Sequence, residues 1–320
     1  HKAGFVKNGH GDLRLEHVFI DGGASINELS MIDCIEFNRR FRTNDVLSEI
    51  GFLTMEIDQS YKNTVKADEL MLGFFDYLKI SSEESYAILN FYRCYRAMVR
   101  AKVAMITYMN TDDETLKRDK RAEYNTLIDM AFIYSIAMLK IYSIAFCGMI
   151  GAGKTTWAVK FSERFRALYS SSDRVRKASV SNEESSYIVP TGEGIYNEER
   201  SLEVYKTLGS LTKSSLKAGR ISAVDASFLQ KKHLESFVSQ IGCAPIYIKF
   251  TADEQVIRER LASRTGGLSD GRLMHFDDLY PLSKEIPADF EVDTSHCDDP
   301  MQAVIDGLIK LLDINVETEL

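Results

Sequence analysis

The stretch that decides the fold of this chain is YSIAFCGMIGAGKT, residues 142–155. Its first six residues are mostly apolar, as expected of a strand that is buried on both faces. Its last eight fit the pattern GxxxxGK[ST], in which glycines let backbone N–H groups turn inward around phosphate groups. A helix is predicted from Thr155 to about Phe165, and the positive end of its dipole favours the same anions. The order of strand, glycine loop and helix therefore predicts a phosphate-binding loop.

Within this loop, Lys154 supplies a point charge and Thr155 can bind Mg²⁺. The alternative is a glycine turn beside a surface lysine, but the flanking strand and helix provide the context that phosphate binding requires. We therefore expect ATP and Mg²⁺ as cofactors. The residues predicted to bind the nucleotide are Gly148, Gly151, Ala152, Gly153, Lys154, Thr155 and Thr156.

Strands and helices alternate after the loop. Further strands are predicted at 167–171, 221–224, 246–250 and 290–292, with helices at 197–218, 252–263 and 301–312. This alternation is typical of an α/β domain with a parallel sheet flanked by helices. Upstream, residues 1–40 read as short strands and loops, and 44–140 read as helical. The sequence therefore predicts two domains, a mostly helical one at 1–140 and an α/β domain at 141–320.

Composition agrees with two globular domains, since the chain has 320 residues with 45% hydrophobic and 27% charged side chains. The net charge of −8 disfavours non-specific binding to nucleic acid or to anionic membranes. No apolar run is long enough for a membrane span, and no signal peptide is recognisable, so cytoplasm is expected. The five cysteines are scattered without a CxxC pair, which favours buried, reduced thiols.

Three polar clusters follow predicted elements of the α/β domain. Asp225 ends the strand ISAVD and could hold Mg²⁺ directly or through water, and the alternative is an aspartate that caps a helix after the strand. Asp173 and Arg176 follow the second strand, where Asp173 could accept a hydroxyl proton and Arg176 could pair with an anionic acceptor group. The alternative for this pair is a solvated charge cluster. Open α/β sheets bind ligands at the edge where these residues are expected.

The third cluster is the arginine-rich run RERLASR at 258–264. Arg260 and Arg264 are four residues apart and share one helix face. Placed over a γ-phosphate, they would stabilise the charge in transfer, and the Gly-rich residues after them suit a mobile lid. The alternative is an exposed helix face with Glu–Arg pairs.

With these motifs, residues 142–313 resemble the small-molecule and polynucleotide kinase branch of the P-loop kinases. The late segment VDTS at 292–295 also recurs in that group, as a strand that closes the nucleotide site. The resemblance implies ATP-dependent phosphorylation of a hydroxyl but does not identify the acceptor, for which we expect a small molecule. A polynucleotide acceptor is disfavoured by the acidic charge and by the few aromatic residues near Asp173. The sequence leaves the acceptor and the oligomeric state open.

A second constellation lies near the start of the chain, at HGDLRLEH, residues 10–17. It resembles the catalytic loop HxDxxxxN of aminoglycoside phosphotransferase-like kinases, with His17 in place of the asparagine. By this resemblance Asp12 would be the base and Asp33 a metal ligand. Only nine residues precede His10, too few for the nucleotide-binding lobe of that family. We therefore expect 1–140 to be a truncated helical lobe that is inactive by itself, in a chain that starts within a domain.

Two other functions fit the same sequence. One is a nucleotide-dependent switch or ATPase, in which water is attacked and the helical half is the effector. The other is an interaction module, in which the N-terminal half is a binding platform.

Overall fold

The structure is a computed structural model. It describes residues 5–20, 29–61, 64–80, 82–138, 143–179, 197–217, 220–263 and 276–318. For residues 64–65, 82–84, 217 and 312–318 it describes the backbone alone. The chain divides into two units, the N-terminal unit His1–Lys140 and the C-terminal unit Ile141–Leu320. No helix among the described residues is both long enough and apolar enough to cross a lipid bilayer.

The N-terminal unit combines two small antiparallel sheets with a helical bundle, in which β1 pairs with β4 and β2 with β3. Its strands are β1 (Val6–Asn8), β2 (Val18–Ile20), β3 (Leu29–Met31) and β4 (Thr43–Asp45). Its helices are α1 (Arg39–Arg42), α2 (Val46–Tyr61), α3 (Thr64–Leu78), α4 (Ser82–Met109) and α5 (Glu114–Met138). Asp45 caps the start of helix α2, because its Oδ1 accepts a hydrogen bond from the N–H of Leu47 at 2.9 Å.

The core of the N-terminal unit lies between α2, α4 and α5. Phe52 and Met55 of α2 pack with Ala97 of α4 and Leu127 of α5, and all four are buried. The small side chain of α4 lets the helices approach closely, so that larger apolar groups fill the space between them.

The C-terminal unit is built on a five-stranded parallel sheet with the order β6-β7-β5-β8-β9. Its strands are β5 (Ser143–Gly148), β6 (Leu168–Ser171), β7 (Ser222–Asp225), β8 (Ile246–Thr251) and β9 (Phe290–Asp293). Its helices are α6 (Lys154–Phe165), α7 (Ser172–Ala178), α8 (Glu198–Lys217), α9 (Lys231–Ile241), α10 (Glu254–Ala262), α11 (Phe276–Leu279) and α12 (Pro300–Thr318).

The register of this sheet determines which strand ends meet. Strand β5 is central and wholly buried, with β7 and β8 as its two neighbours. Phe146 of β5 pairs with Asp225 of β7, and Asp225 pairs with Ser171 of β6. Because all five strands are parallel, the loop after β5, the acid that ends β7 and the start of α7 lie at the same edge of the sheet.

The predicted α/β class is confirmed, and each predicted strand is present within one or two residues at each end. Five of the described helices were not predicted as separate elements, namely α1, α3, α7, α9 and α11. The prediction for the thiols is wrong in part. Cys147 is buried, but Cys243 is exposed, and Cys34, Cys94 and Cys297 are half-buried. All five thiols are free.

We expect Gly148→Ala to destabilise the C-terminal unit by at least about 2 kcal/mol, because backbone strain and a steric clash combine. Gly148 has a φ of 139°, and a Cβ there would lie 2.4 Å from the carbonyl oxygen of Phe250. Gly242→Ala is the matched control, since Gly242 has a φ of 77° but open space around its Cα. Urea unfolding measures both variants, and equal losses of stability would show that the clash with β8 contributes nothing.

Candidate phosphate-binding and transfer site

The loop between β5 and α6 takes a path that its glycines make possible. Gly151 and Gly153 have φ values of 79° and 97°, in the left-handed region that favours glycine. A Cβ at Gly151 would lie 2.9 Å from Cγ2 of Ile257, so the loop packs closely against α10. The loop is therefore held in a curved conformation by its own backbone and by its neighbours.

Helix α6 begins directly after this loop, with Gly153 as its N-cap. Because Gly153 has no side chain, the first N–H groups of α6 keep an open approach for an anion. Lys154 is the first residue of the helix and is only 7% exposed. The sequence thus places a buried ammonium group and the positive end of a helix dipole at the same point.

Asp225 lies beside this lysine at the end of β7 and is 4% exposed. Burial raises the pKa of its carboxyl group, whereas the nearby charge of Lys154 and the hydroxyl of Thr155 lower that pKa. The hydroxyl of Tyr169 donates to Oδ2 of Asp225 at 3.0 Å. The sheet therefore brings together Lys154, Thr155 and Asp225, as the sequence predicts.

The donor atoms of Thr155 and Asp225 fit a magnesium ion. Oδ1 of Asp225 is buried and has no hydrogen-bond partner among the described residues, and such an orphaned oxygen is expensive unless a cation or water meets it. No three His, Cys, Asp or Glu side chains are grouped to hold a metal in the described part of the chain, this site included, so phosphate and water oxygens would complete the shell. Mg²⁺ typically takes one or two carboxylates and completes its shell with phosphate oxygens and water. Asp225 and the Thr155 hydroxyl match that requirement.

Asp173 and Arg176 lie on α7, the short helix that follows β6. The hydroxyl of Ser171 caps this helix by accepting from the N–H of Arg174 at 3.2 Å. Asp173 is half-buried, and its charge raises the pKa of Asp225, so the two carboxyl groups are neighbours at the same sheet edge. Arg176 is 7% exposed and donates from Nη1 to the hydroxyl of Ser201 at 3.2 Å. The pair is therefore partly inside the fold and is not a solvated charge cluster.

Two aromatic side chains lie next to this pair. Tyr205 of α8 stacks on His233 of α9, with ring centroids 4.6 Å apart and an interplanar angle of 10°. Burial, together with the charges of Lys232 and Arg176, lowers the pKa of His233 to about 4. His233 is thus neutral at neutral pH and extends the surface around Arg176.

Arg260 lies on the other side of the loop. Its Nη1 donates to the carbonyl oxygen of Gly151 at 3.2 Å and to Oγ1 of Thr294 at 2.8 Å. Thr294 in turn donates to the carbonyl oxygen of Ala152 at 3.0 Å. Arg260 therefore contacts the backbone of the phosphate loop in this structure. Arg264 and the predicted lid that follows it lie outside the described residues.

The N-terminal constellation is also brought together. His17 is 8% exposed, its Nδ1 is 2.9 Å from the carbonyl oxygen of Asp12, and its Nε2 is 3.5 Å from Oδ2 of Asp33. The rings of His10 and His17 stack with centroids 5.7 Å apart. Asp33 has a φ of 60°, a conformation that is unusual outside glycine. His17 thus lies between the predicted base and the predicted metal ligand.

A family model described as an AAA domain matches residues 144–277. The match begins in β5 and includes the phosphate loop, α6 and the strands β6, β7 and β8. The matched residues include the strand–loop–helix geometry described above, and the C-terminal unit has a P-loop kinase-like fold, a five-stranded parallel sheet with flanking helices.

The chain is also similar to uncharacterized proteins of two mycobacteria. It is 24% identical over 278 residues to Mb2027c of Mycobacterium bovis and to Rv2004c of Mycobacterium tuberculosis. The similarity covers 84% of this chain and 52% of each relative. The chain thus spans about half the length of the curated relatives it matches.

Solved structures similar to the chain include a sugar kinase from Janibacter sp. HTCC2649, with a TM-score of 0.41 and 16% identity over 54% of this chain and 95% of that one. They also include a shikimate kinase from Acinetobacter baumannii, solved with shikimate, with a TM-score of 0.34 and 16% identity. That similarity covers 55% of this chain and 96% of the shikimate kinase.

Two residues of this site, Tyr169 and His233, were not predicted from the sequence. Tyr169 could have been found from strand alternation, since it is two residues before Ser171 on the strand next to Asp225. His233 had no comparable signal, because its neighbours Arg176 and Tyr205 come from other helices.

Thr294→Val should lower the free energy of unfolding of the C-terminal unit by about 1–3 kcal/mol. The substitution conserves shape but removes the donor to Ala152 and the acceptor of Arg260. Denaturant unfolding measures the loss. The control is Ser214→Ala on α8 of the same unit, since the Ser214 hydroxyl donates to the carbonyl oxygen of Ser210 within its own helix. Equal losses in the two variants would contradict a role of Thr294 in holding the loop.

His296 should make the stability of the C-terminal unit depend on pH. Its Nδ1 is 3.0 Å from Asp293 and its Nε2 is 3.4 Å from Asp253, and these carboxylates raise its pKa above the ordinary 6.5. The stabilisation that protonated His296 gains from Asp293 and Asp253 is then fully present just below pH 6.5. It is lost as the pH rises through the raised pKa of His296. The measurement is the difference in unfolding free energy between wild type and His296→Ala across this range, and a constant difference would contradict the pairing.

Proposed function

We propose that the C-terminal unit is an ATP- and Mg²⁺-dependent kinase that phosphorylates a hydroxyl group of a small molecule. The observation that carries this proposal is the meeting of Lys154 and Asp225, both buried, at the carboxyl edge of β5 and β7, with Asp173 beside them. A buried cation at a glycine loop suits phosphates, and a buried carboxylate with a free oxygen suits the metal that accompanies them.

Nucleotide binding is assigned to the loop from Gly148 to Thr156. Its N–H groups and the start of α6 would face the β- and γ-phosphates, and Lys154 would neutralise part of their charge. Thr155 and Asp225 would hold Mg²⁺, which supplies charge stabilisation on the phosphate oxygens when it is bound. The role proposed for Arg260 is to stabilise the conformation of the phosphate loop, because its guanidinium bonds to Gly151 and Thr294.

The transfer step is assigned to α7. Asp173 would accept the proton of the acceptor hydroxyl while that oxygen forms a bond to the γ-phosphorus and the bond to the β-phosphate oxygen breaks, releasing ADP. Arg176 would pair with an anionic group of the acceptor and hold it in line. The neutral stack of Tyr205 and His233 beside Arg176 is compatible with a compact organic acceptor.

The small-molecule acceptor is favoured over a polynucleotide by charge. The chain carries a net charge of −8, and strong polynucleotide binding depends on neutralising several phosphates with a basic surface. We propose that the protein is located in the cytoplasm, where the ATP that such a kinase needs is available.

We further propose that the N-terminal unit, which resembles a phosphotransferase lobe, does not transfer phosphate in this chain. The supporting observation is that His17 pairs with Asp33, so that an imidazole faces the carboxylate that would otherwise hold a metal. Imidazole is a poorer partner for Mg²⁺ than an oxygen ligand.

The test is transfer of radiolabelled γ-phosphate by the full chain to a panel of metabolites, aminoglycosides and 5′-hydroxyl oligonucleotides. We expect one class of small hydroxyl compound to be labelled. Asp173→Asn should lower the rate by about 10²–10⁴-fold with ATP affinity unchanged, because only the proton acceptor is lost. Asp306→Asn is the control, since Asp306 is exposed on α12.

Two outcomes would contradict the proposal. One is an unchanged rate in the Asp173→Asn variant. The other is release of ADP without any labelled acceptor, which would favour a nucleotide-dependent switch or ATPase.

A further inference from the structure

Tyr169 reaches Asp225 from the neighbouring strand. In the parallel pairing of β6 with β7, Tyr169 aligns with Ala223 and Ser171 aligns with Asp225. Side chains alternate along a strand, so Tyr169 and Ser171 lie on one face, and the long tyrosine side chain spans the two-residue offset to the acid. Its hydroxyl donates to Oδ2 of Asp225 at 3.0 Å.

This hydrogen bond makes the surroundings of the two carboxylate oxygens different. Oδ2 is engaged by Tyr169, whereas Oδ1 has no hydrogen-bond partner within the described part of the chain. The charge of Lys154 and the hydroxyl of Thr155 act on the same carboxyl group from the phosphate loop. Because a partial rotation of the carboxylate would break the bond to Tyr169, the bond fixes the plane of the carboxylate and so the direction in which its second oxygen points.

The tyrosine ring is itself fixed by α7. The guanidinium of Arg174 lies over the ring at 5.0 Å from its centroid. The N–H of Arg174 donates to the hydroxyl of Ser171, which caps the helix. Tyr169 therefore connects Asp225 to the helix that carries Asp173.

We propose that Tyr169 is a positioning residue of the magnesium site, whose hydroxyl holds Oδ2 of Asp225 so that Oδ1 faces the metal or its water. The inference rests on the proposed function, because it assumes that Asp225 serves a nucleotide-bound Mg²⁺. It adds a residue that contacts neither the nucleotide nor the metal and acts through Asp225.

The test uses Tyr169→Phe in the full chain and measures ATP affinity by calorimetry over a series of Mg²⁺ concentrations. The half-saturating Mg²⁺ concentration should rise between about 10- and 100-fold, as is usual when an outer-shell partner of a metal ligand is removed. ATP affinity without Mg²⁺ should stay unchanged, which a general loss of folding would not produce. An unchanged Mg²⁺ requirement would overturn the proposal.

Tyr247→Phe is the matched control. Tyr247 lies on β8 of the same sheet, and its buried hydroxyl has no hydrogen-bond partner among the described residues. This variant should keep the wild-type Mg²⁺ requirement. In an Asp225→Asn background, Tyr169→Phe should add nothing further, and additive effects would show that the hydroxyl acts elsewhere and would overturn the proposal.

If Tyr169→Phe fails to fold by circular dichroism, Arg174→Ala replaces it, because it releases the ring and leaves the hydroxyl. A several-fold rise in the Mg²⁺ requirement is then expected, and no rise overturns the proposal. ATP affinity that does not depend on Mg²⁺ in the wild type would overturn both proposals. If ATP binding depends on Mg²⁺ but no acceptor is phosphorylated, the proposed kinase function is overturned alone. The Mg²⁺ requirement of Tyr169→Phe compared with wild type would still decide whether Tyr169 positions Asp225.

Discussion

The structure of the C-terminal unit depends on placing two opposite charges, Lys154 and Asp225, in a buried position at one edge of the sheet. Removing an ammonium and a carboxylate from water is costly unless each finds partners. Asp225 finds Tyr169 on β6 and is influenced by Thr155 on α6. Asp225 and these partners lie on three separate segments, β7, β6 and α6, so β5, β6 and β7 must be in register for the buried groups to meet.

The opposite side of the phosphate loop is held by backbone contacts. Gly148 lies so close to Phe250 of β8 that no side chain fits. Thr294 after β9 and Arg260 of α10 bond to the loop carbonyls of Ala152 and Gly151. The side of the loop toward β7 thus carries the residues proposed to bind phosphate and metal. The side toward β8 and β9 makes the packing contacts and hydrogen bonds that hold the loop in place. Such support pre-organises the loop N–H groups, which lowers the entropy lost when an anion binds.

Local signals predicted most of the C-terminal unit because buried parallel strands are continuous apolar runs and the glycine motif has a fixed spacing. Helix α7 escaped prediction because it follows β6 without a turn, with Ser171 serving as both strand end and cap. Helix α9 lacks a side-chain cap at Gln230. The loop, Lys154, Thr155 and Asp225 were predicted together, whereas Tyr169 was not, since its role depends on the register of two strands that are distant in sequence.

The sequence by itself determined the parallel α/β class, the phosphate loop and the polar residues at the strand ends, because each of these depends on short-range periodicity and residue type. Tertiary structure alone decided that Tyr169 engages one oxygen of Asp225, that Arg260 contacts the loop backbone, and that His17 faces Asp33. These contacts join segments between 16 and 109 residues apart, or strands whose pairing no local pattern specifies. Their geometry follows from register and packing, which only the folded chain fixes.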